Sequence, residues 1–422
     1  MKRVLSIVIL GFIFVSCTSH TRTTLQPSTI TPFDLSPTIT TSSLPSPTPT
    51  ATVTPWIHGT PISTIPSSIS LLPISKSNAD RIQLLFKYQI TWENYSDYGL
   101  AAASPDGKWL ALASGGGPVH IVPIPWISDH SITPWINPTT SRIYSYATLS
   151  LSFSPDSMHL AIESTGDRIA VFDLQQPDKL IFLSKVDWPT SVVFTGDGKK
   201  LIVGTQRGIG GYLQLWDIET ASFEKVISRD PSSGGVCSVA ISPDGKILAA
   251  GHCSYVFDIS TWNIDKGYIP LARLVGLDKI PYCNHFCIEN RNIVLFNPST
   301  GDIASGTNMF RIPIQNPQSG KLLTIISTPR RAGIGNSYSV PEPVNGLAYT
   351  PDGSILAIAT GNELQLRDAK DSNLLWYTEN PLADGSMMSA VTITPDSRLI
   401  TSIDSDGNVE FWGIPEFVQK SR

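Results

Sequence analysis

One turn signature, repeated six times, constrains this chain of 422 residues more than any other feature. The copies are Ser104-Pro105-Asp106-Gly107, Ser154-Pro155-Asp156-Ser157, Thr195-Gly196-Asp197-Gly198, Ser242-Pro243-Asp244-Gly245, Thr350-Pro351-Asp352-Gly353 and Thr394-Pro395-Asp396-Ser397. A degenerate seventh, Phe296-Asn297-Pro298-Ser299-Thr300-Gly301-Asp302, fills the one oversized gap. The aspartates at 106, 156, 197, 244, 302, 352 and 396 are separated by 50, 41, 47, 58, 50 and 44 residues. A period of that size means a propeller or a solenoid. The tetrapeptide is a hairpin turn: Pro presets φ at the first corner, Asp takes the second, and Gly accepts the left-handed conformation that follows. Where Gly becomes Ser157 or Ser397, the same turn should cost about 1 kcal/mol more.

Short apolar strands flank each turn, such as Val236 to Ile241 before it and Ile247 to Ala250 after it. A third follows a polar turn, as in Ile169 to Asp173, Leu213 to Asp217, Leu364 to Asp368 and Val409 to Trp412. The predicted unit is therefore a four-stranded antiparallel blade, and the fold class is all-β. Composition agrees, because 31 Gly and 33 Pro with only 15 % charged residues suit tight turns and not long helices. A net charge of -5 gives no basic footprint for a phosphate backbone, so no nucleic-acid partner is expected.

The third strands carry a family resemblance. Trp216-Asp217, with the weaker echoes Phe172-Asp173, Phe257-Asp258 and Arg367-Asp368, makes residues 81 to 420 resemble the WD40 family and its YVTN-type bacterial relatives. Gly251-His252 ends a second strand instead of opening a repeat, so that family's side-chain tetrad is not carried over. The resemblance implies a seven-bladed β-propeller over residues 81–422, with eight blades as the alternative if a repeat hides near residues 255 to 295. The last repeat runs out at Trp412, while Arg81 to Tyr88 is an orphan strand ahead of the first. Pairing the two would close the ring and remove its free edges.

Residues 1–17 read as a signal. Met1-Lys2-Arg3 is basic, Val4 to Val15 is an apolar run too short to cross a bilayer, and Phe14-Val15-Ser16-Cys17 resembles the lipobox of bacterial lipoproteins. That resemblance implies acylation of Cys17 and anchoring in a bacterial cell envelope, on the extracytoplasmic side. Residues 18–80 read as a tether, since 37 of these 63 residues are Ser, Thr or Pro.

In the family geometry the loops from a fourth strand to the next first strand share one face with the loops between second and third strands. The long connectors Ser128 to Tyr146, Val275 to Asn290 and Pro329 to Pro343 are of the first kind, and long loops carry function more often than stability. The aromatic and arginine residues expected on this partner-binding face are Trp92, Tyr95, Trp135, Trp188, Arg207, Tyr282, Arg330, Arg331 and Tyr338. Cys237, Cys253, Cys283 and Cys287 belong to the same rim. Outside the cytoplasm an even count reads as disulfides, with 237–253 and 283–287 the preferred pairing among three connectivities. The alternatives are free thiols, or a zinc site drawn from Cys237, His252, Cys253, Cys283, His285 and Cys287.

The chain has no phosphate loop, no His-Glu-x-x-His and no nucleophile elbow. No catalytic residue and no cofactor stand out. The function expected is a membrane-anchored scaffold that binds a protein or other ligand through its loop-rich face. The alternative is a lactonase-like or other hydrolytic propeller with a metal in the central channel, which would need carboxylates and histidines converging on the axis.

Overall fold

The repeated turn is held the same way in all six copies. In the computed structural model, the Ser or Thr hydroxyl donates to Oδ1 of the aspartate two residues on, at 2.5–2.7 Å. The same Oδ1 accepts the backbone N–H two residues further along, at 2.9–3.1 Å. The next N–H returns to the hydroxyl oxygen, at 2.8–3.1 Å. The fourth residue takes a left-handed conformation, with φ of 71° at Gly107 and 61° and 58° at Ser157 and Ser397. The seventh copy spans the same number of residues, but its left-handed residue comes one position later. There Asn297, and not Asp302, holds the turn, its Oδ1 accepting the N–H groups of Ser299 and Thr300, and Gly301 takes the left-handed position.

The structure describes residues 70–89, 99–114, 119–124, 148–164, 168–175, 180–184, 186–206, 210–230, 235–253, 258–275, 293–306, 311–328, 343–361, 363–378 and 387–416. They form seven antiparallel sheets. Blade 1 holds Gly99–Ala103, Trp109–Ser114 and His120–Pro123; blade 2 holds Thr148–Phe153, His159–Ser164, Arg168–Asp173 and Leu180–Ser184. Blade 3 is Pro189–Phe194, Lys200–Thr205, Gly211–Asp217 and Ser222–Asp230. Blade 4 is Val236–Ile241, Ile247–His252, Asp258–Asn263 and Ile269–Val275. Blade 5 is Ile293–Phe296, Ile303–Gly306, Arg311–Gln315 and Leu322–Ser327; blade 6 is Val344–Tyr349, Ile355–Thr360, Glu363–Asp368 and Leu374–Tyr377. Blade 7 takes Met388–Ile393, Ile400–Asp404 and Asn408–Pro415 from the end of the chain. Residues that would supply a fourth strand to blade 1 fall outside the described set. Each first strand contacts the first strands of the blades on either side, and the seventh returns to the first. This is a seven-bladed β-propeller. The eight-blade alternative fails because the described residues between 255 and 295 belong to blade 4 and the start of blade 5.

Apolar residues pack between blades rather than within one. Ala111, Ala113 and Ile121 of blade 1 meet Leu160, Ile162 and Phe172 of blade 2 in a single buried cluster, and the same arrangement recurs around the ring. Gly346 shows how near the inner strands come, because a Cβ there would lie 2.9 Å from the Ala390 backbone of the next blade.

The acidic half of the Trp-Asp pair has a local role. Asp173, Asp217 and Asp368 each end a third strand and accept a backbone N–H from the turn that follows, from Gln175, Thr220 and Lys370. Asn263 does the same for Lys266. The equivalent pair in blade 4 is thus Trp262-Asn263. The expected Phe257-Asp258 echo is displaced: Asp258 opens the third strand opposite Val275 and pairs with Arg273.

Ring closure is as expected. Gln83–Gln89 runs antiparallel along the last strand from Gln83 opposite Gly413 to Gln89 opposite Asn408. Phe86 stacks on Phe411 at 4.3 Å, and Lys87 Nζ lies 2.5 Å from the Glu410 carboxylate. The folded part nevertheless begins before residue 81. Leu71–Leu72 extends the same edge opposite Pro415 and Ile414. Leu71, Ile74, Ala79 and Ile82 are buried, and Lys76 Nζ lies 2.6 Å from Asp368 of blade 6. Counting Ser, Thr and Pro hid this strap, because three spaced apolar residues are enough to bury it and barely alter the composition.

Candidate interaction face

The direction of the strands gives the propeller two unlike ends. The repeated turns and the turns between third and fourth strands share one end. The connections between second and third strands, and those leading into each first strand, share the other, which we call the rim. The chain enters at the turn end: Ser70 bonds Glu416 through both backbone and side chain, the Arg398 guanidinium donates to the Leu71 carbonyl, and the Ile74 N–H donates to Ser397 of the last repeated turn.

Among the residues expected on the binding face, Trp188 is described. It stands at the rim just before blade 3, 65 % exposed, with φ of 49°, and its carbonyl accepts the Gln206 N–H beyond the second strand. A left-handed conformation at a bulky residue is costly and is tolerated where surrounding structure holds it. Trp92, Tyr95, Trp135, Arg207, Tyr282, Arg330, Arg331 and Tyr338 lie outside the described residues, as do Cys17, Cys283, His285 and Cys287.

A disulfide joins Cys237 to Cys253 across the rim end of blade 4, with Cα atoms 5.1 Å apart. Neither sulfur is then available as a thiolate. His252 beside it is buried, and its Nε2 shares a hydrogen bond with Ser260 Oγ at 3.0 Å. Among the described residues, no group of three or more His, Cys, Asp or Glu side chains is placed to hold a metal ion. His120, in the third strand of blade 1, is buried, and burial pushes its ring down to about 4, so it is neutral at physiological pH.

Sequence reasoning named a central channel but missed what lines it. A cavity of about 220 Å³ lies at its rim end, lined by the opening residues of all seven first strands. Five of these strands, in blades 2, 3, 4, 6 and 7, break register at the same place and bulge at Leu149, Thr190, Cys237, Asn345 and Ser389. Bulges re-aim side chains and recur beside functional sites. Here they stitch one blade to the next: Thr190 Oγ1 donates to the Val236 carbonyl, and Asn345 Nδ2 to the Met388 carbonyl at 2.8 Å. One residue later, Ser150 and Ser238 accept the N–H groups of Val192 and Val294 in the following blades, at 3.1 and 3.2 Å. The signal was present in the sequence, since Ser150, Ser191 and Ser238 each stand four residues before the Ser or Thr of their turn. It becomes visible only when the repeats are aligned column by column. The hydrolytic alternative calls for carboxylates and imidazoles on the axis; the described residues lining the cavity supply neither.

The carboxylates of Asp106, Asp156, Asp197, Asp244 and Asp352 are held below the ordinary value. Burial opposes the shift and is the largest influence at Asp106, Asp156 and Asp352, but bonds from the Ser or Thr hydroxyl and the following N–H outweigh it. At Asp197 and Asp244 the hydroxyl bond is itself the largest influence.

Comparison with known proteins gives two findings. The family model described as "WD domain, G-beta repeat" matches residues 224–265. The chain is also similar to the "NACHT domain- and WD repeat-containing protein 1" of Mus musculus, at 21 % identity over 282 residues. That match takes in 65 % of this chain and 16 % of the mouse protein. The geometry and the matched repeat together support a WD40 β-propeller, a fold that typically serves as a protein-interaction scaffold.

Proposed function

We propose that this chain is a lipid-anchored, extracytoplasmic scaffold of a bacterial envelope that holds a protein partner on its rim. One observation carries the reading: the chain enters the propeller at the turn end, beside Ser397 and Glu416. A tether ahead of Ser70, attached to a membrane through acylated Cys17, then leaves the opposite end facing outward. That outward end carries Trp188, and its connectors hold the aromatic and arginine residues that suit an interface core.

Two measurements test it. Cys17→Ser should move the protein from the detergent phase to the aqueous phase; unchanged partitioning sinks the anchor. A photo-crosslinking residue placed at Trp188 should give a discrete protein adduct in intact cells, and one at the exposed turn-end Lys246 should not. Adducts at Lys246 alone, or at neither position, would refute a rim-facing partner.

A further inference from the structure

The ring is joined to itself where Gln83–Gln89 meets Asn408–Pro415 without a covalent link. If that joint lets go, the three C-terminal strands of blade 7 part from blade 1. The face then uncovered is the one on which Leu110, Leu112 and Val122 meet Ile403, Val409 and Phe411. Two polar side chains are buried in it. His120 stands directly opposite Leu112 in the blade 1 sheet, so the two share the face turned toward blade 7. Thr401 stands opposite Phe411 and shares the face turned toward blade 1. They are 6 % and 1 % exposed, and neither ring nitrogen of His120 nor Thr401 Oγ1 has a hydrogen-bond partner among the described residues.

A buried imidazole without a partner is a standing cost of the closed ring, which an apolar residue at 120 would avoid. Protonation makes that cost larger. The charged residues of blade 7 and of the closing strand stand on the opposite face: Asp404 follows Ile403, Glu410 lies between Val409 and Phe411, and Lys87 pairs with Glu410. The strands Gly99–Ala103, Trp109–Ser114 and Met388–Ile393 carry no charged residue. An imidazolium at 120 therefore meets no carboxylate in the closed ring, whereas in the open one water solvates it. We infer that protonation of His120 opens the ring between blades 7 and 1, which makes the propeller responsive to mild acid. Burial holds the His120 ring at about 4, down from 6.5. The closed form is thus fully favoured above about pH 6.5, loses ground as pH falls toward 4, and changes no further below that. Asp404 acts in the reverse sense, because burial raises its carboxyl and acid then favours the closed form. The device goes beyond the scaffold reading and needs neither the lipid anchor nor a protein partner.

The test is hydrogen exchange read by mass spectrometry on the full chain from pH 7 to pH 4, with rates corrected for the intrinsic pH dependence of exchange. With an ordinary imidazole in the open form, the opening constant should rise about 10- to 25-fold between pH 7 and pH 5. Protection should fall by that factor in Gln83–Gln89 and Asn408–Pro415, and by less than about twofold in Lys200–Thr205 and Ile247–His252, on the far side of the ring. His120→Phe, apolar and similar in shape, should abolish the acid response and leave protection at pH 7 unchanged or higher. Protection that stays flat from pH 7 to pH 5, a loss spread equally over all blades, or an acid response retained in His120→Phe would each overturn the inference. Should the variant not fold, the unsubstituted chain still decides, because a loss that begins only below about pH 4.5 belongs to the turn carboxylates and counts against His120.

Discussion

Phe86→Ala tests ring closure most directly. Phe86 lies in the closing strand, 5 % exposed, stacked on Phe411 and packed in one cluster with Leu110, Leu112 and Val122 of blade 1 and with Ile403 and Val409 of blade 7. Truncating a buried Phe to Ala costs about 3–5 kcal/mol through lost transfer energy and the cavity left behind. This site should fall in the upper half of that range, because the lost ring serves two blades and the partner ring loses its stack. With an unfolding entropy of about 2.1 cal/mol/K per residue over roughly 250 described residues, the melting temperature should fall by about 8–10 °C. Leu84→Ala on the same strand is the control: at 38 % exposure it should cost under about 1 kcal/mol. Calorimetry and guanidinium titration read both variants, with the slope m checking that the unfolded state is unaltered. Equal, small losses in the two would show that the N-terminal strand decorates the ring and does not close it.

The two serines in left-handed turn positions should respond differently to Gly. Ser397→Gly removes backbone strain and should stabilise by about 0.5–1 kcal/mol; Ser157→Gly removes similar strain but also the bond from the Asp106 N–H to Ser157 Oγ at 2.9 Å, so denaturation should find it near neutral. The folded pKa values of Asp106, Asp156, Asp197, Asp244 and Asp352 lie below their unfolded values. Their contribution is therefore present above about pH 4 and lost as pH falls through the folded values. A urea midpoint measured from pH 6 to pH 3 should drop at the acid end, and drop less in Asp197→Asn; a drop confined to higher pH would contradict this. Reducing Cys237–Cys253, which closes a loop of 16 residues, should lower stability by about 3 kcal/mol in denaturant titrations with and without dithiothreitol.

The architecture was legible because its signals are local. A Ser/Thr-x-Asp-Gly turn satisfies its own polar groups within six residues, so it reads the same in any context, and six copies fix the period. The closing strand was legible for a different reason: a blade lacking its fourth strand and a strand lacking a blade sit at opposite ends of one repeat array. What stayed hidden is what depends on contacts far apart in sequence. Leu71 and Ile74 look like minor interruptions of a polar stretch until the Pro415 edge and the Ser397 turn are beside them. Asp258 resembles a third-strand aspartate until Arg273 claims it and Asn263 is seen capping the turn. The bonds that Ser150 and Ser238 accept from the next blade need two blades to exist at all, so no single repeat announces them.

The matched repeat at residues 224–265 starts inside the fourth strand of blade 3 and ends just past the third strand of blade 4. The unit of sequence is therefore out of phase with the unit of structure by one strand. Every repeat laid out this way begins on one blade and finishes on the next, so the backbone itself joins each neighbouring pair. The single joint made without a covalent link is in blade 7, where Gln83–Gln89 meets Asn408–Pro415 through hydrogen bonds and packing alone. That is also where the fold adds most outside the repeat: the Leu71–Leu72 extension, the Arg398 bond to the Leu71 carbonyl, and the Lys76 ion pair reaching on to blade 6. Exposed ion pairs are worth little singly, so burial of Leu71, Ile74 and Ile82 must supply most of the reinforcement. The strap follows from the phase offset, since a ring built of offset repeats has one seam, and stabilising residues placed at that seam oppose opening of the whole ring.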